Sequence, residues 1–166
     1  SGQLYCVEPV PVIFDVLKHN MRHCSNATLL NYALGEESKR VDMVNDTVAE
    51  AGYFGTGRNV VSEGKSSAKA IHFSVEMRRG SELFAELERL DFIKCDIEGY
   101  ERVVLPEMRA LIERFHPVVL LETDGQTRCR MVAMFADMGY RAFTLADDGS
   151  ECPLTEDSDR DIIFRY

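Results

Sequence analysis

No apolar run in this 166-residue chain approaches the roughly 18 residues that a bilayer-crossing helix needs, and no signal-peptide pattern opens it. Basic residues are in the minority. The 19 Lys and Arg against 28 Asp and Glu leave a net charge of −9 and a pI near 4.9. That balance disfavours general nucleic-acid binding, which needs a basic footprint, and disfavours anionic membranes. It leaves small molecules and protein partners open. None of the five cysteines, Cys6, Cys24, Cys95, Cys129 and Cys152, stands in a CxxC pair. An odd, unclustered set reads as free thiols in a reduced, cytoplasmic protein rather than as a disulfide framework. His19 and His23 have the i,i+4 spacing of helical metal ligands, but no HExxH motif or nearby third ligand joins them. They read as surface histidines, and no metal is expected. No GxGxxG follows a strand; "GYFGTG" (52–57) is weak support for phosphate binding. Internal repeats are absent, and 1–166 reads as a single domain.

What the chain does have is 45% hydrophobic residues, enough for a sizeable core, and a regular alternation of patterns. "QLYCVE" (3–8) reads as a strand, and a helix begins near Pro11 with Ile13, Leu17, Met21 and Cys24 at helical spacing. "TLLNYAL" (28–34) reads as a strand stopped by Gly35, and "KRVDMVN" (39–45) as another. Residues 46–68, rich in Gly and Ser, read as an irregular excursion. "KAIHFSVEM" (69–77) alternates as a strand and "SELFAELERL" (81–90) as a helix. "DFIKCD" (91–96) has the look of a strand buried on both faces, and "YERVVL" (100–105) of a short helix. Pro106 is expected to open a second helical segment that ends before His116 and Pro117. "PVVLLET" (117–123) is the near-continuous apolar run of a parallel-sheet centre. A helix over 127–138 with Gly139 at its cap, a strand over 140–145, a turn over 146–150 and an antiparallel closing strand over 161–166 complete the order. Such alternation predicts an open α/β sheet with helices on both faces.

Ligands of open α/β sheets bind beyond the carboxyl ends of the strands, and there this chain concentrates carboxylates. Glu8 ends the first strand. It could accept hydrogen bonds from both hydroxyls of a nucleotide ribose, or meet the dipole of the following helix. Asp96 and Glu98 follow "DFIKC", and Glu122 with Asp124 ends "PVVLLE". Asp96 and Glu98 could orient a substrate hydroxyl, act as general base, or hold a divalent cation with Glu122; alternatively they cap the helix that follows. Lys94 either pairs with a carboxylate or touches substrate, and a structural ion pair is the favoured role.

Taken in order, "LYCVEPVPVIFDVLKHN", "NYALG", "DFIKCDIEGYERVVLPE" and "HPVVLLET" resemble the FkbM-type family of S-adenosylmethionine-dependent methyltransferases, over nearly the whole chain. Lys94, Asp96, Glu98, Gly99 and Glu101 match that family's Lys-x-Asp-x-Glu-Gly-x-Glu motif. Glu8, Pro9, Pro11, Leu17 and Asn20 match its acidic-Pro motif. The resemblance implies a Rossmann-like class I methyltransferase sheet, mostly parallel with an antiparallel last strand. It implies S-adenosylmethionine as cofactor, O-methylation as the reaction, and a small-molecule or sugar hydroxyl as acceptor. Glu8 and Pro9 would then lie at the cofactor ribose, and Ala33 and Leu34 on its adenine side. Asp96, Glu98, Glu122 and Lys94 would shape the acceptor site.

The chain departs from the pattern in four respects. Cys95 replaces an aliphatic residue, and "LPEM" and "RRGSEL" replace the usual flanking sequences. The family's first βα unit, with its Gly-rich cofactor loop, should precede "GQLYCVE", so the chain is expected to be an N-terminally truncated domain. Weak cofactor binding and little activity would follow from the loss of that unit and its turn, and a tendency to self-associate from the open edge. The rivals are a nicotinamide dehydrogenase half, a non-catalytic interaction module, and a metal-dependent hydrolase built on Asp96, Glu98 and Glu122.

Overall fold

The structure is a computed structural model that describes residues 2–45, 59–62, 70–97, 99–122, 125–155, 158 and 161–166, with Gln126 described in its backbone alone. The chain divides into two compact units, Ser1–Arg79 and Gly80–Tyr166.

The first unit begins with a β-α-β passage: β1 (Leu4–Val7), α1 (Pro11–Met21) and β2 (Ala27–Leu30), with β1 and β2 parallel and Cys6 opposite Leu29. Pro11 stands in the first turn of α1, where its missing N–H leaves no bond unmade. The strand expected over 28–34 is instead two. Asn31 breaks it, because its side-chain amide donates to the carbonyls of Glu8 at 2.8 Å and Pro9 at 3.0 Å and so turns the chain out of the first sheet. The chain re-enters as β3 (Ala33–Gly35) in a separate four-stranded sheet with β4 (Lys39–Asn45), β5 (Asn59–Val61) and β6 (Ile71–Arg79), in the order β3-β6-β4-β5. Along β6 one face carries the buried Val75 and Met77, while the intervening His72, Ser74 and Glu76 are exposed, the period of a half-buried strand. Gly35 is required where it stands, since a Cβ there would fall 2.2 Å from the Met77 sulfur. Of the excursion expected over 46–68, residues 59–62 are described and hold β5; the remainder, with "GYFGTG", lies outside the described residues.

The second unit opens with α2 (Gly80–Leu83), far shorter than the helix expected over 81–90. Glu82 and Glu86 are like charges at i,i+4 and short helices are marginal in water, so turns replace the helix beyond Leu83. Then follow β7 (Phe92–Cys95), α3 (Glu101–Glu107), α4 (Arg109–Phe115), β8 (Val118–Leu121), α5 (Gly125–Asp137), β9 (Arg141–Leu145), β10 (Glu151–Pro153) and β11 (Ile162–Arg165). Pro106 lies inside α3, and the break expected at it falls at Met108 instead. His116, in the left-handed region at φ 48°, ends α4 as expected. Five strands form one sheet in the order β10-β9-β11-β8-β7.

The expectation of a mostly parallel sheet is corrected. The described strands form three sheets with parallel pairing at β1–β2, β3–β6 and β7–β8 and antiparallel pairing at β4–β5, β4–β6, β8–β11, β9–β11 and β9–β10. Short links such as the 146–150 turn, where Ala146 N–H bonds the Ser150 carbonyl and Gly149 takes φ 81°, can only join antiparallel neighbours. The closing strand is antiparallel to both its neighbours, as expected. Among the described residues no helix is long and apolar enough to cross a membrane.

In this unit α5 contributes Met131 and Phe135 to a core shared with Leu121, Ile162 and Phe164, all at most 2% exposed. Phe135 stacks on Phe164 at 4.1 Å and meets Tyr140 edge-on at 5.2 Å. Truncating it leaves a cavity ringed by rigid aromatics that cannot collapse. Phe135→Ala should therefore lower stability by about 3–5 kcal/mol in urea unfolding, and a loss under about 1 kcal/mol would show that this stack is not central to the core.

Candidate active site

β7 is the terminal strand of its sheet, and its side chains alternate: Phe92 and Lys94 are exposed, Ile93 half-buried and Cys95 buried. The expectation of burial on both faces is thus corrected; one face of an edge strand is open, and charge is tolerated there. Lys94 and Asp96, two residues apart, project the same way, and Lys94 Nζ lies 3.1 Å from Asp96 Oδ2. With side chains 53% and 39% exposed, this ion pair adds little stability but raises the lysine's affinity for its proton, chiefly through the hydrogen bond it donates to Asp96.

Register brings the carboxyls together. β7 and β8 run parallel with Cys95 opposite Leu121, and the Glu122 N–H continues the ladder to the Cys95 carbonyl at 3.1 Å. Asp96 and Glu122 therefore stand abreast at the carboxyl ends of two neighbours. β11 runs the other way with Ile162 opposite Leu121, so the residue entering it, Asp161, reaches the same rim on the far side of Glu122. The Glu122 carboxyl is held above its usual range by the charges of Asp96 and then Asp161 and by a hydrogen bond with Asp96; Lys94 acts in the opposite sense. Two carboxyls side by side hold one proton more tightly than either would alone. Beneath them the Cys95 thiol, 7% exposed, is pushed up to about 12 by burial, so it is inert as a nucleophile.

Asp96, Glu122 and Lys94 are thus brought together in the second unit. Glu98 and Asp124 lie outside the described residues. Among the described residues no three His, Cys, Asp or Glu side chains are grouped so as to hold a metal ion. His19 and His23 are exposed.

In the first unit Glu8 ends β1, its N–H bonded to the Leu30 carbonyl at 3.0 Å. Its Oε1 accepts the Val10 N–H at 2.8 Å, just before α1. The carboxyl is half-buried, and desolvation raises its pKa against the lowering by that N–H. Pro9 is half-buried beside it, its carbonyl held by Asn31. Ala33 and Leu34 lie apart from the β1–β2 pair, on β3, which pairs with β6; Ala33 is buried and Leu34 half-buried.

Two neighbours escaped selection from sequence. Asp161 could have been found, since an antiparallel closing strand must begin at the rim where the neighbour it runs against ends. Asn31 could not, because its role depends on which turn its amide reaches.

A family model, Methyltransferase FkbM domain, matches residues 1–142. Among solved structures the chain is similar to the crystal structure of Methyltransferase FkbM from Methylobacillus flagellatus KT, with a TM-score of 0.59 and 16% identity over 99% of this chain. At that identity the likeness is one of fold, and the chain spans 36% of that protein's length. No protein of curated function matches the chain.

Asp96→Asn should bring the Glu122 titration midpoint down toward the ordinary carboxylate range, followed by carboxyl-carbon NMR. A raised value means that the folded chain binds this proton more tightly than the unfolded chain does. Its stabilising contribution is present at low pH and lost as pH rises through the folded value, and the variant should lose less over that window. An unmoved Glu122 midpoint would mean that the two carboxyls do not interact.

Proposed function

The chain belongs to the FkbM methyltransferase family, and from that premise we propose that it serves S-adenosylmethionine-dependent methylation of a hydroxyl oxygen on a small molecule or sugar. The observation that carries this reading is the Asp96–Glu122 pair on adjacent strand ends, with Asp161 and Lys94 beside it.

O-methylation needs the acceptor hydroxyl to lose its proton as the new bond forms. A carboxyl whose proton affinity is raised toward neutrality is the better base for that transfer. Asp96 raises the basicity of Glu122, and the pair takes up the hydroxyl proton. Lys94 donates a hydrogen bond to Asp96 and so holds a positive charge beside the pair. Glu98, by its place in the motif, is assigned to the same acceptor site.

S-adenosylmethionine, when bound, supplies an electrophilic methyl group on a cationic sulfonium, so carboxylates on its rim are electrostatically suited to it. Glu8 fits the ribose of such a cofactor. One carboxyl oxygen is held by the Val10 N–H, and the other has no hydrogen-bond partner among the described residues. That oxygen, on a half-buried group, is open to accept from a hydroxyl donor. Asn31, by fixing the Glu8 and Pro9 carbonyls, holds the turn that presents it. Leu34, half-buried, has surface left for a purine, whereas Ala33 is largely taken up by its own sheet.

Saturation-transfer NMR with S-adenosylhomocysteine suits weak binding and tests the cofactor half of the proposal. Glu8→Ala should weaken binding by about 10- to 100-fold, the worth of hydrogen bonds to a charged acceptor. Undiminished binding would remove Glu8 from the cofactor site. Once an acceptor is in hand, Glu122→Gln should lower the methylation rate by about 10²- to 10⁴-fold with little change in acceptor affinity; an unchanged rate would refute the base assignment.

A further inference from the structure

Glu101 opens α3 and is 0% exposed. Glutamate is among the side chains least often found fully buried, because its charge loses water's solvation. Its Oε1 accepts two backbone N–H groups, from Ile97 at 2.9 Å and Gly99 at 3.2 Å. Its Oε2 is buried with no hydrogen-bond partner among the described residues. Arg102, one residue on, grips the same turn from its other side, donating to the Gly99 carbonyl at 3.1 Å. Gly99 takes φ 89°, a conformation that side chains other than glycine's strongly disfavour. Tyr100 N–H closes the turn on the Ile97 carbonyl at 3.2 Å.

Capping a helix does not need this arrangement. A serine or asparagine at position 100 would satisfy the helix end with far less desolvation. What the longer Glu101 adds is reach. It spans back four residues to the N–H of Ile97, the residue immediately after Asp96.

We propose that Glu101 is a positioning residue of the carboxyl site: by holding the Ile97 and Gly99 amides it locks the turn after β7, so that Asp96 stands against Glu122. It acts through the backbone and touches no ligand. The proposal rests on reading Asp96 and Glu122 as working carboxyls. The groups that bear on Glu122 are Asp96 and Lys94 from the β7 side and Asp161 from the β11 side. Of these only Asp96 adjoins the turn that Glu101 holds.

The unpartnered Oε2 makes the test sharp. Glutamine can reproduce both bonds with its one carbonyl oxygen, whereas leucine fills the space and makes neither. Two readouts decide the matter, neither of which needs a methyl acceptor. In the unmodified protein the Ile97 and Gly99 amides should exchange with solvent at least about tenfold more slowly than in an unstructured peptide. Glu101→Leu should speed both by about 10- to 100-fold, and Glu101→Gln should restore most of the protection. The Glu122 carboxyl-carbon titration should fall toward the ordinary range in Glu101→Leu and stay raised in Glu101→Gln. Free exchange of both amides in the unmodified protein overturns the proposal without any variant. So does a folded Glu101→Leu protein with an unmoved Glu122 titration. Should Glu101→Leu fail to fold, Glu101→Gln decides: a lowered Glu122 midpoint there counts against the proposal and a retained one supports it. Failure here would leave methyl transfer standing, and failure of methyl transfer would leave this coupling measurable.

Discussion

Neighbouring strands of a sheet lie about 4.8 Å apart, and that spacing governs the second unit's chemistry. β7 and β8 run the same way and β11 runs against them. Three chain segments therefore meet one rim, and each brings a carboxyl: Asp96, Glu122 and Asp161. Side chains this close cannot all ionise independently. Lys94 pairs with Asp96, and the charges of Asp96 and then Asp161 act on Glu122, which retains its proton more strongly. Any base function of the rim follows from this spacing rather than from an unusual side chain.

The same register decides what the rim does not contain. Cys95 precedes Asp96 directly, yet alternation turns it to the buried face, where loss of water suppresses its thiolate. A one-residue slip of β7 would expose the thiol and bury Lys94 and Asp96, at a cost in desolvated charge that holds the register in place. The turn after Cys95 is bound from α3 by both a carboxylate and a guanidinium. The local order of the rim is thus built from backbone hydrogen bonds as much as from side-chain packing.

Much of this was legible in the sequence because it depends on period. The alternation in "KRVDMVN" marks β4 at Lys39–Asn45 to the residue, and the apolar run of "PVVLLET" marks β8. Carboxylates at strand ends could be named before their neighbours were known. What stayed hidden depends on contacts between distant residues. Asn31 splits a seemingly continuous strand only because its amide reaches the Glu8–Pro9 turn. Three residues, Glu151–Pro153, become β10 only because the 146–150 turn folds them onto β9. Pro106 looked like a helix start, yet α3 carries it within and breaks at Met108. Glu101 could be matched to a motif, but glutamates are ordinarily exposed, and nothing in its type or spacing says that this one is buried beneath a turn.

Glu8 and Glu122 both end strands and both hold their protons more tightly than a free glutamate, but for different reasons. Glu8 is raised by lost solvation and lowered by the Val10 N–H. Glu122 is exposed and raised first by neighbouring charge. Salt screens the second cause and leaves the first nearly untouched. The distinction fits the two roles. A group that accepts hydrogen bonds from neutral hydroxyls gains from being dry, because each bond is stronger where water does not compete. A group that takes up a proton and releases it again gains from standing at an open rim, where charged neighbours set its affinity and water can carry the proton away. Burial would give Glu122 a comparable rise, but it would slow the exchange that a base needs at every turnover.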